Sequence, residues 1–377
     1  MSAGLYIHVP FCMSKCPYCD FYSLKYNGDS ALKYAGSVID EIETGTRSAE
    51  YTKDFDFKFD TVYFGGGTPS VLGADIIGKI LDSARKNYNI DENSEITVEC
   101  NPSTVDSEFF KKLNSYGVNR VSLGMQSSSD TERRKLGRLA DSKRVEKAVR
   151  DAQTAGIENI SLDIMIGIPS QSEKTLLESA KFCIDSGVKH VSAYMLKVEP
   201  GTHFAKMGDR LVLPDEDEVC DMYLSLCGFL EENGMKQYEI SNFSYESYES
   251  RHNLKYWFDE EYLGIGPAAH SFIGNSRFYY ERDIDSFIKG EKAKFESYGG
   301  DFNEFVMLRL RLSDGLKEAD VKNRFGFEIP EEMRRKCSKF EKAGLLISDE
   351  NGIRLTKNGF LLSNSIIACI TAPLTDT

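Results

Sequence analysis

The sequence predicts an α/β protein. Its main part is a partial (β/α)6 barrel of the TIM type, and a smaller winged-helix-like α+β unit follows. Three observations predict this. Short β-branched or apolar runs alternate with helical patterns over the first two hundred residues, as in a parallel sheet with crossovers. No glycine-rich dinucleotide fingerprint follows the first run, which favours a barrel or partial barrel over a doubly wound sheet. After residue 300 the pattern changes to helices and a hairpin with an Asn-Gly tip, a strong local turn signal.

The expected strands are Leu5–Val9, Thr61–Phe64, Glu95–Glu99, Arg120–Met125, Ile160–Ile166 and His190–Leu196. Helical patterns follow most of them, at Ser30–Thr44, Ala74–Tyr88, Ser107–Tyr116, Lys143–Ala155 and Lys174–Ser186. Gly201–Pro214 reads as a loop, Asp215–Asn233 as a helix with an acidic, dipole-matched first turn, and Ser241–Ser250 as a loop. Helical patterns at Phe305–Leu312, Lys317–Arg324 and Pro330–Ala343 precede Leu345–Ser348, a turn and Ile353–Thr356, and a further helix closes the chain. The expected boundaries are 1–299 for the barrel with its extension and 300–377 for the second unit.

In parallel α/β folds the reactive face lies at the carboxyl ends of the strands. Here those ends carry the Cys12 loop, Gly65-Gly66-Gly67-Thr68, Glu99, Gln126, Asp163 with Met165, and Tyr194. Every exit is polar or glycine-rich, so this face is the candidate site.

Composition narrows the function classes. The chain has 377 residues and a net charge of −13, which argues against nucleic acid as an electrostatic partner. From Gly300 on, 12 basic residues balance 12 acidic ones, so the excess acidity precedes the second unit. Arg334-Arg335-Lys336 is its basic cluster and reads as a solvated helix face. No apolar run approaches the roughly 20 residues of a membrane span, and the first residues lack a signal-peptide pattern. The expected location is cytoplasmic.

Nine cysteines are present, of which Cys12, Cys16 and Cys19 form a tight trio. In a reducing compartment this is a metal site plus scattered thiols, not a disulfide framework. Three thiolates are one short of closing a tetrahedral zinc site or a four-cysteine cluster. A cubane on three cysteines leaves one iron without a protein ligand, free to chelate the amino and carboxylate groups of a small molecule. That arrangement serves reductive cleavage of S-adenosylmethionine. The rival is zinc, with His8 as a fourth ligand, although His8 falls inside the first strand.

The segments Tyr6-Ile7-His8-Val9-Pro10-Phe11-Cys12 and Cys16-Pro17-Tyr18-Cys19-Asp20-Phe21 resemble the radical S-adenosylmethionine superfamily. More narrowly they resemble the branch of oxygen-independent coproporphyrinogen III oxidases and their HemW-type heme-chaperone relatives. Phe64–Ser70, Glu99–Pro102, Gly124–Gln126, Arg138 and Asp163–Pro169 extend the resemblance along the chain. It implies that Cys12, Cys16 and Cys19 hold a [4Fe–4S] cluster. It also implies that Tyr6, Tyr18, Gly66, Gly67, Thr68, Glu99, Gln126, Arg138 and Asp163 surround S-adenosylmethionine. The residue types suit those roles. Glycines admit close backbone approach, Arg138 can fork onto a carboxylate, and Asp163 and Gln126 can bond ribose hydroxyls.

Two features separate the oxidase from the chaperone. The oxidase pattern carries a fourth cysteine two residues past the third, where this chain has Phe21. His252-Asn253-Leu254-Lys255-Tyr256-Trp257 matches the H-N-x-x-Y-W pattern associated with HemW-type chaperones. His252, Tyr256 and Trp257 are expected to bind heme, by an axial nitrogen and stacking surface. The bland alternative is a structural histidine packing the lower barrel. The resemblance implies heme as cargo, respiratory apo-hemoproteins as recipients, and an electron donor such as flavodoxin or ferredoxin if S-adenosylmethionine is cleaved. The oxidase remains the alternative. His270 is expected in a barrel-closing loop near the cofactor, His190 and His203 as structural or surface groups, and Cys100 as a buried thiol.

Overall fold

The computed structural model describes residues 2–138 and 140–372. Six parallel strands form the centre: β1 (Ala3–Val9), β2 (Lys58–Gly66), β3 (Asn89–Cys100), β4 (Arg120–Gln126), β5 (Asn159–Ile166) and β6 (His190–Met195). They pair in sequence order through crossover helices α1 (Gly28–Thr44), α2 (Ala74–Asn87), α3 (Ser107–Ser115), α4 (Ser142–Thr154) and α5 (Glu173–Asp185). Most of these helices start on a side chain that accepts a hydrogen bond from the first turn: Asn27, Asp106, Asp141 and Ser172. The acidic run Asp215–Glu218 is such a start too, a reciprocal capping box that opens α6 (Glu216–Glu232).

A sheet covered by helices on both faces reads as continuous apolar runs. These strands alternate instead. Leu5, Ile7, Val62, Phe64, Val98, Val121, Leu162 and Val191 pack into the helix-covered core. Their neighbours Tyr6, His8, Thr61, Tyr63, Thr97, Glu99, Ser122, Asp163 and Ser192 face the other side. Strand alternation puts these polar groups on one concave face, and the curvature lets β2 and β5 line one cavity.

The six strands do not close on themselves. The sheet has twelve strands among the described residues, in the order β12-β11-β10-β9-β1-β2-β3-β4-β5-β6-β8-β7. The additions are β7 (Lys236–Glu239), β8 (Asn242–Ser244), β9 (Tyr262–Ile265), β10 (His270–Ile273), β11 (Ser276–Tyr279) and β12 (Lys294–Tyr298). Here four expectations are corrected. Gly264–Ser271 is not a barrel-closing loop, because β9 adds to β1 in parallel and β10 turns back beside it. His270 opens β10 with its side chain half exposed and Nδ1 3.0 Å from Glu296, outside the cofactor-side cavity. Ser241–Ser250 contains β8, and Gly201–Pro214 contains a helix, His203–Met207, started by the Thr202 hydroxyl. His190 is structural as expected, bonded to Ser161 and Tyr238 at 2.8 Å each.

Beyond residue 300, helices Phe302–Arg309, Glu318–Phe325 and Glu331–Lys342 pack with a small antiparallel sheet of Leu316–Lys317, Gly352–Leu355 and Leu346–Asp349. This is the winged-helix-like pattern. Its final helix comes in two pieces, Lys357–Leu361 and Ser363–Thr371. No helix among the described residues is long and apolar enough to cross a membrane.

Candidate functional site

The strand-exit face holds a cavity of about 430 Å3. Cys12, Cys16 and Cys19 line it together with Tyr18, Gly66, Gly67, Thr68, Glu99, Gln126, Arg138 and Asp163. These residues come from the loop after β1, the exits of β2 to β4, the segment after β4, and β5.

The cysteine loop is fixed by its own backbone and by β2. Cys19 N–H donates to the Cys16 carbonyl at 3.2 Å, and Tyr26 N–H donates to the Cys12 carbonyl at 2.8 Å. Gly67 N–H reaches the Val9 carbonyl at 2.8 Å and Thr68 N–H the Phe11 carbonyl at 2.7 Å. This stitching explains Gly67: a Cβ there would stand 2.6 Å from the Phe11 oxygen and 2.9 Å from the Val9 oxygen. Gly66 has φ +107°, and a Cβ would meet the His8 ring at 2.7 Å. The Thr68 hydroxyl lies 3.3 Å from Cys12 Sγ. Burial pushes the Cys19 thiol above its ordinary pKa.

Arg138 Nη2 donates to the Tyr18 hydroxyl at 2.8 Å, while its buried Nε has no partner among the described residues. Glu99 accepts a 2.8 Å hydrogen bond from the Tyr63 hydroxyl. Burial raises its pKa to about 7, and Asp163 nearby adds to the rise. Asp163 accepts from the Ser122 hydroxyl at 2.8 Å, and burial raises its pKa as well. Gln126 ends β4 with φ +71°, a conformation that costs a side-chain-bearing residue about 1–3 kcal/mol and clusters at functional sites. The register slips between Gly124 and Gln126, which re-aims the strand end.

Two sets of predicted residues are not brought to the cavity. Tyr6 lies below it; its hydroxyl is 3.1 Å from His8 Nδ1, and its ring stacks toward His252 at 6.3 Å. His252, Tyr256 and Trp257 sit on the short helix α7 (Arg251–Trp257), near the amino ends of the strands. A Cβ on Gly4 of β1 would meet the His252 ring at 3.0 Å. His252 is 1% exposed. Its Nδ1 is 2.8 Å from Thr61 Oγ1, its Nε2 is 2.9 Å from the Tyr256 hydroxyl, and it stacks on Tyr63 at 5.1 Å. Glu95 fixes the helix start by accepting from the Arg251 and His252 amides at 3.1 Å each. The structure gives the expected axial imidazole no open nitrogen: Nδ1 faces Thr61 and Nε2 faces Tyr256, and burial lowers the pKa to about 3, so the ring is neutral. His8 gives the zinc alternative no ligand either. Its Nε2 is 3.2 Å from the Tyr22 carbonyl, and among the described residues no group of three or more His, Cys, Asp or Glu converges as ligands of one metal ion.

Sequence reasoning missed Tyr63, Ser122 and Ser192. Each lies two residues before a strand-end position it accompanies: Gly65, Gly124 and Tyr194. Period-two reading of the strands was the available signal.

The cavity suits an iron–sulfur cube and a zwitterionic ligand. It offers the Cys12, Cys16 and Cys19 thiols on one loop with the fourth lining cysteine, Cys100, turned back toward Val98, a glycine cradle without room for side chains, and a buried guanidinium nitrogen without a partner among the described residues. With the half-barrel around it, this defines a radical S-adenosylmethionine protein. The Radical SAM superfamily profile matches residues 6–183, and the HemN C-terminal domain profile matches 301–362. Its cofactors are accordingly a [4Fe–4S] cluster and S-adenosylmethionine.

Whole-chain relatives narrow the class. The chain is 32% identical to "Heme chaperone HemW" of Lactococcus lactis, covering 96% of this chain and 95% of that one. It is also 32% identical to the protein of that name from Bacillus subtilis, covering 98% and 99%. The Escherichia coli protein of that name is 35% identical over 72% of this chain and 70% of its own length. The chain belongs to the HemW family. It shares its fold with Escherichia coli coproporphyrinogen III oxidase HemN, at TM-score 0.83 and 20% identity, covering 99% of this chain and 91% of that one.

Proposed function

We propose that this protein is a heme chaperone. It binds a [4Fe–4S] cluster, S-adenosylmethionine and heme, and delivers heme to respiratory apo-hemoproteins in the cytoplasm. The observation that carries this reading is Phe21. Where the oxidase pattern has a fourth cysteine, this chain presents an apolar ring, 69% exposed, at the mouth of the cavity that Cys12, Cys16 and Cys19 line. The full-length kinship with proteins named heme chaperones supports the same reading.

In this reading Cys12, Cys16 and Cys19 hold the cluster. Tyr18, Gly66, Gly67, Thr68, Glu99, Gln126, Arg138 and Asp163 surround S-adenosylmethionine, and Tyr6 supports that wall from below. When bound, the cluster supplies one-electron reducing power, with a flavodoxin- or ferredoxin-type protein as its donor. Arg138 forks onto the ligand carboxylate while Tyr18 holds its guanidinium in place. Asp163, oriented by Ser122, accepts from a ribose hydroxyl. Glu99 stays partly protonated near neutral pH, so it can donate as well as accept a hydrogen bond. The boundary between the barrel with its extension, 1–299, and the C-terminal unit, 300–377, belongs to this proposal.

The test is heme delivery. Protein reconstituted with iron and sulfide, loaded with hemin and mixed with an apo-hemoprotein should transfer the heme, followed by the recipient's regained activity. A chain that takes up hemin and never releases it to a recipient is a heme binder and not a chaperone.

A further inference from the structure

Scattered exposed apolar side chains are normal on a protein surface, but a cluster beside a cavity marks a binding site. Such a cluster rims the cofactor cavity here. Phe21 and Met13 of the cysteine loop are 69% and 53% exposed, and Tyr194 at the end of β6 is 44% exposed. All three line the cavity. Leu24 beside the first pair, and Met195 and Val198 beside Tyr194, are 39%, 40% and 36% exposed. Two separate segments thus present flat or flexible apolar groups to one opening. Unbranched methionine adapts to a flat ligand, and aromatic rings stack on one.

The charges at the opening fit an apolar plate bearing carboxylates. The chain is strongly acidic, yet the cavity lining includes Lys15. Its ammonium bonds the Phe21 carbonyl at 3.3 Å and has no carboxylate partner among the described residues. The cavity, about 430 Å3, is of a size for one small ligand. A porphyrin is therefore too much to add inside beside the cofactors, but it can lie across the rim.

We propose that the heme site is this rim, with the macrocycle against Phe21, Met13 and Tyr194 and a propionate on Lys15. The site rests on the heme-chaperone reading and places the cargo against the cluster loop. It takes heme away from His252, whose nitrogens are occupied at the opposite end of the strands.

The experiment is a hemin titration of the cluster-reconstituted full chain, followed at the Soret band, with iron and sulfide content measured for every variant. Phe21→Ser and Lys15→Glu should each weaken hemin binding tenfold or more while keeping the cluster, and His252→Phe should stay within twofold of wild type. Unchanged affinity in both rim variants overturns the site. Because His252→Phe removes buried hydrogen bonds and its protein could fail to fold, a second measurement uses the unaltered chain. Zinc protoporphyrin IX bound at the rim should be quenched by the cluster beside it, and equal fluorescence lifetimes on the cluster-loaded and cluster-free chain overturn the site. A wild-type chain that takes up no hemin overturns the heme reading itself, and this site with it.

Discussion

The Arg138 guanidinium donates a 2.8 Å hydrogen bond to the Tyr18 hydroxyl. These residues are 120 positions apart, and the contact ties the cysteine loop to the segment after β4. Arg138 Nε is buried and has no partner among the described residues. A hydrogen bond to a charged group is worth about 1.5–3 kcal/mol. Arg138→Ala should therefore lower S-adenosylmethionine affinity about 10- to 100-fold in equilibrium dialysis of the iron-loaded chain. Tyr18→Phe, which only loosens the guanidinium, should cost less than tenfold. An Arg138→Ala chain with wild-type affinity removes Arg138 from the ligand site.

Glu99 gives a pH prediction. Its pKa rises from 4.5 to about 7, first through burial. Below pH 4.5 the carboxyl is protonated in folded and unfolded chains alike. Between 4.5 and about 7 the unfolded chain ionises while the folded one keeps its proton, so folding stability falls as pH rises through that window. The displacement corresponds to about 3 kcal/mol. Urea titrations at pH 5 and pH 8 should show Glu99→Gln gaining up to that amount on wild type at the higher pH. Parallel curves for the two proteins at both pH values would mean that Glu99 ionises normally.

Gly67 tests the cradle. The atoms nearest a Cβ at this position are all backbone, from Phe11 and Val9, so no side chain can swing aside. Overpacking typically costs about 1–3 kcal/mol. Gly67→Ala should push the cysteine loop off β2 and lower the iron content per chain, while Gly36→Ala on α1, with nothing within 4 Å and no positive φ, should keep the cluster. Full iron in Gly67→Ala means the loop is not held where the structure has it.

The cysteines divide by role. Cys12→Ala, Cys16→Ala or Cys19→Ala should each abolish the cluster's visible absorption with little loss of fold, because all three are only partly buried. Cys100 is buried and also lines the cavity, but its Sγ turns back toward the Val98 carbonyl at 3.6 Å. Cys100→Ala should retain the cluster and lower the melting temperature by a few degrees, the cost of a small core cavity. Lost absorption in Cys100→Ala makes it a ligand.

Much of this was legible in the sequence because the relevant signals are local. The six strand–helix units are marked by alternating patterns and by caps such as Asn27 and Ser172. The cysteine loop and glycine exits carry their spacing in a few residues. The outer strands were not legible. Tyr262–Ile265 is four residues long and becomes a strand only by pairing with β1, more than 250 positions away. The same holds for His252. Its neighbours Tyr256 and Trp257 mark an aromatic cluster, but which end of the strands it occupies is decided by Glu95 and Thr61, far away in the chain. Trp257 itself is half-buried on α7 and does not line the cavity. The local motif marks a buried aromatic cluster, and what that cluster faces is set by residues far away in the chain.

The central claim is that this half-barrel carries heme and does not make it. The most direct measurement incubates the cluster-reconstituted chain anaerobically with coproporphyrinogen III, S-adenosylmethionine and a reductant, with hemin uptake measured on the same sample. The account predicts bound hemin and no vinyl-bearing product. Conversion to protoporphyrinogen IX by a sample that leaves hemin unbound would contradict it.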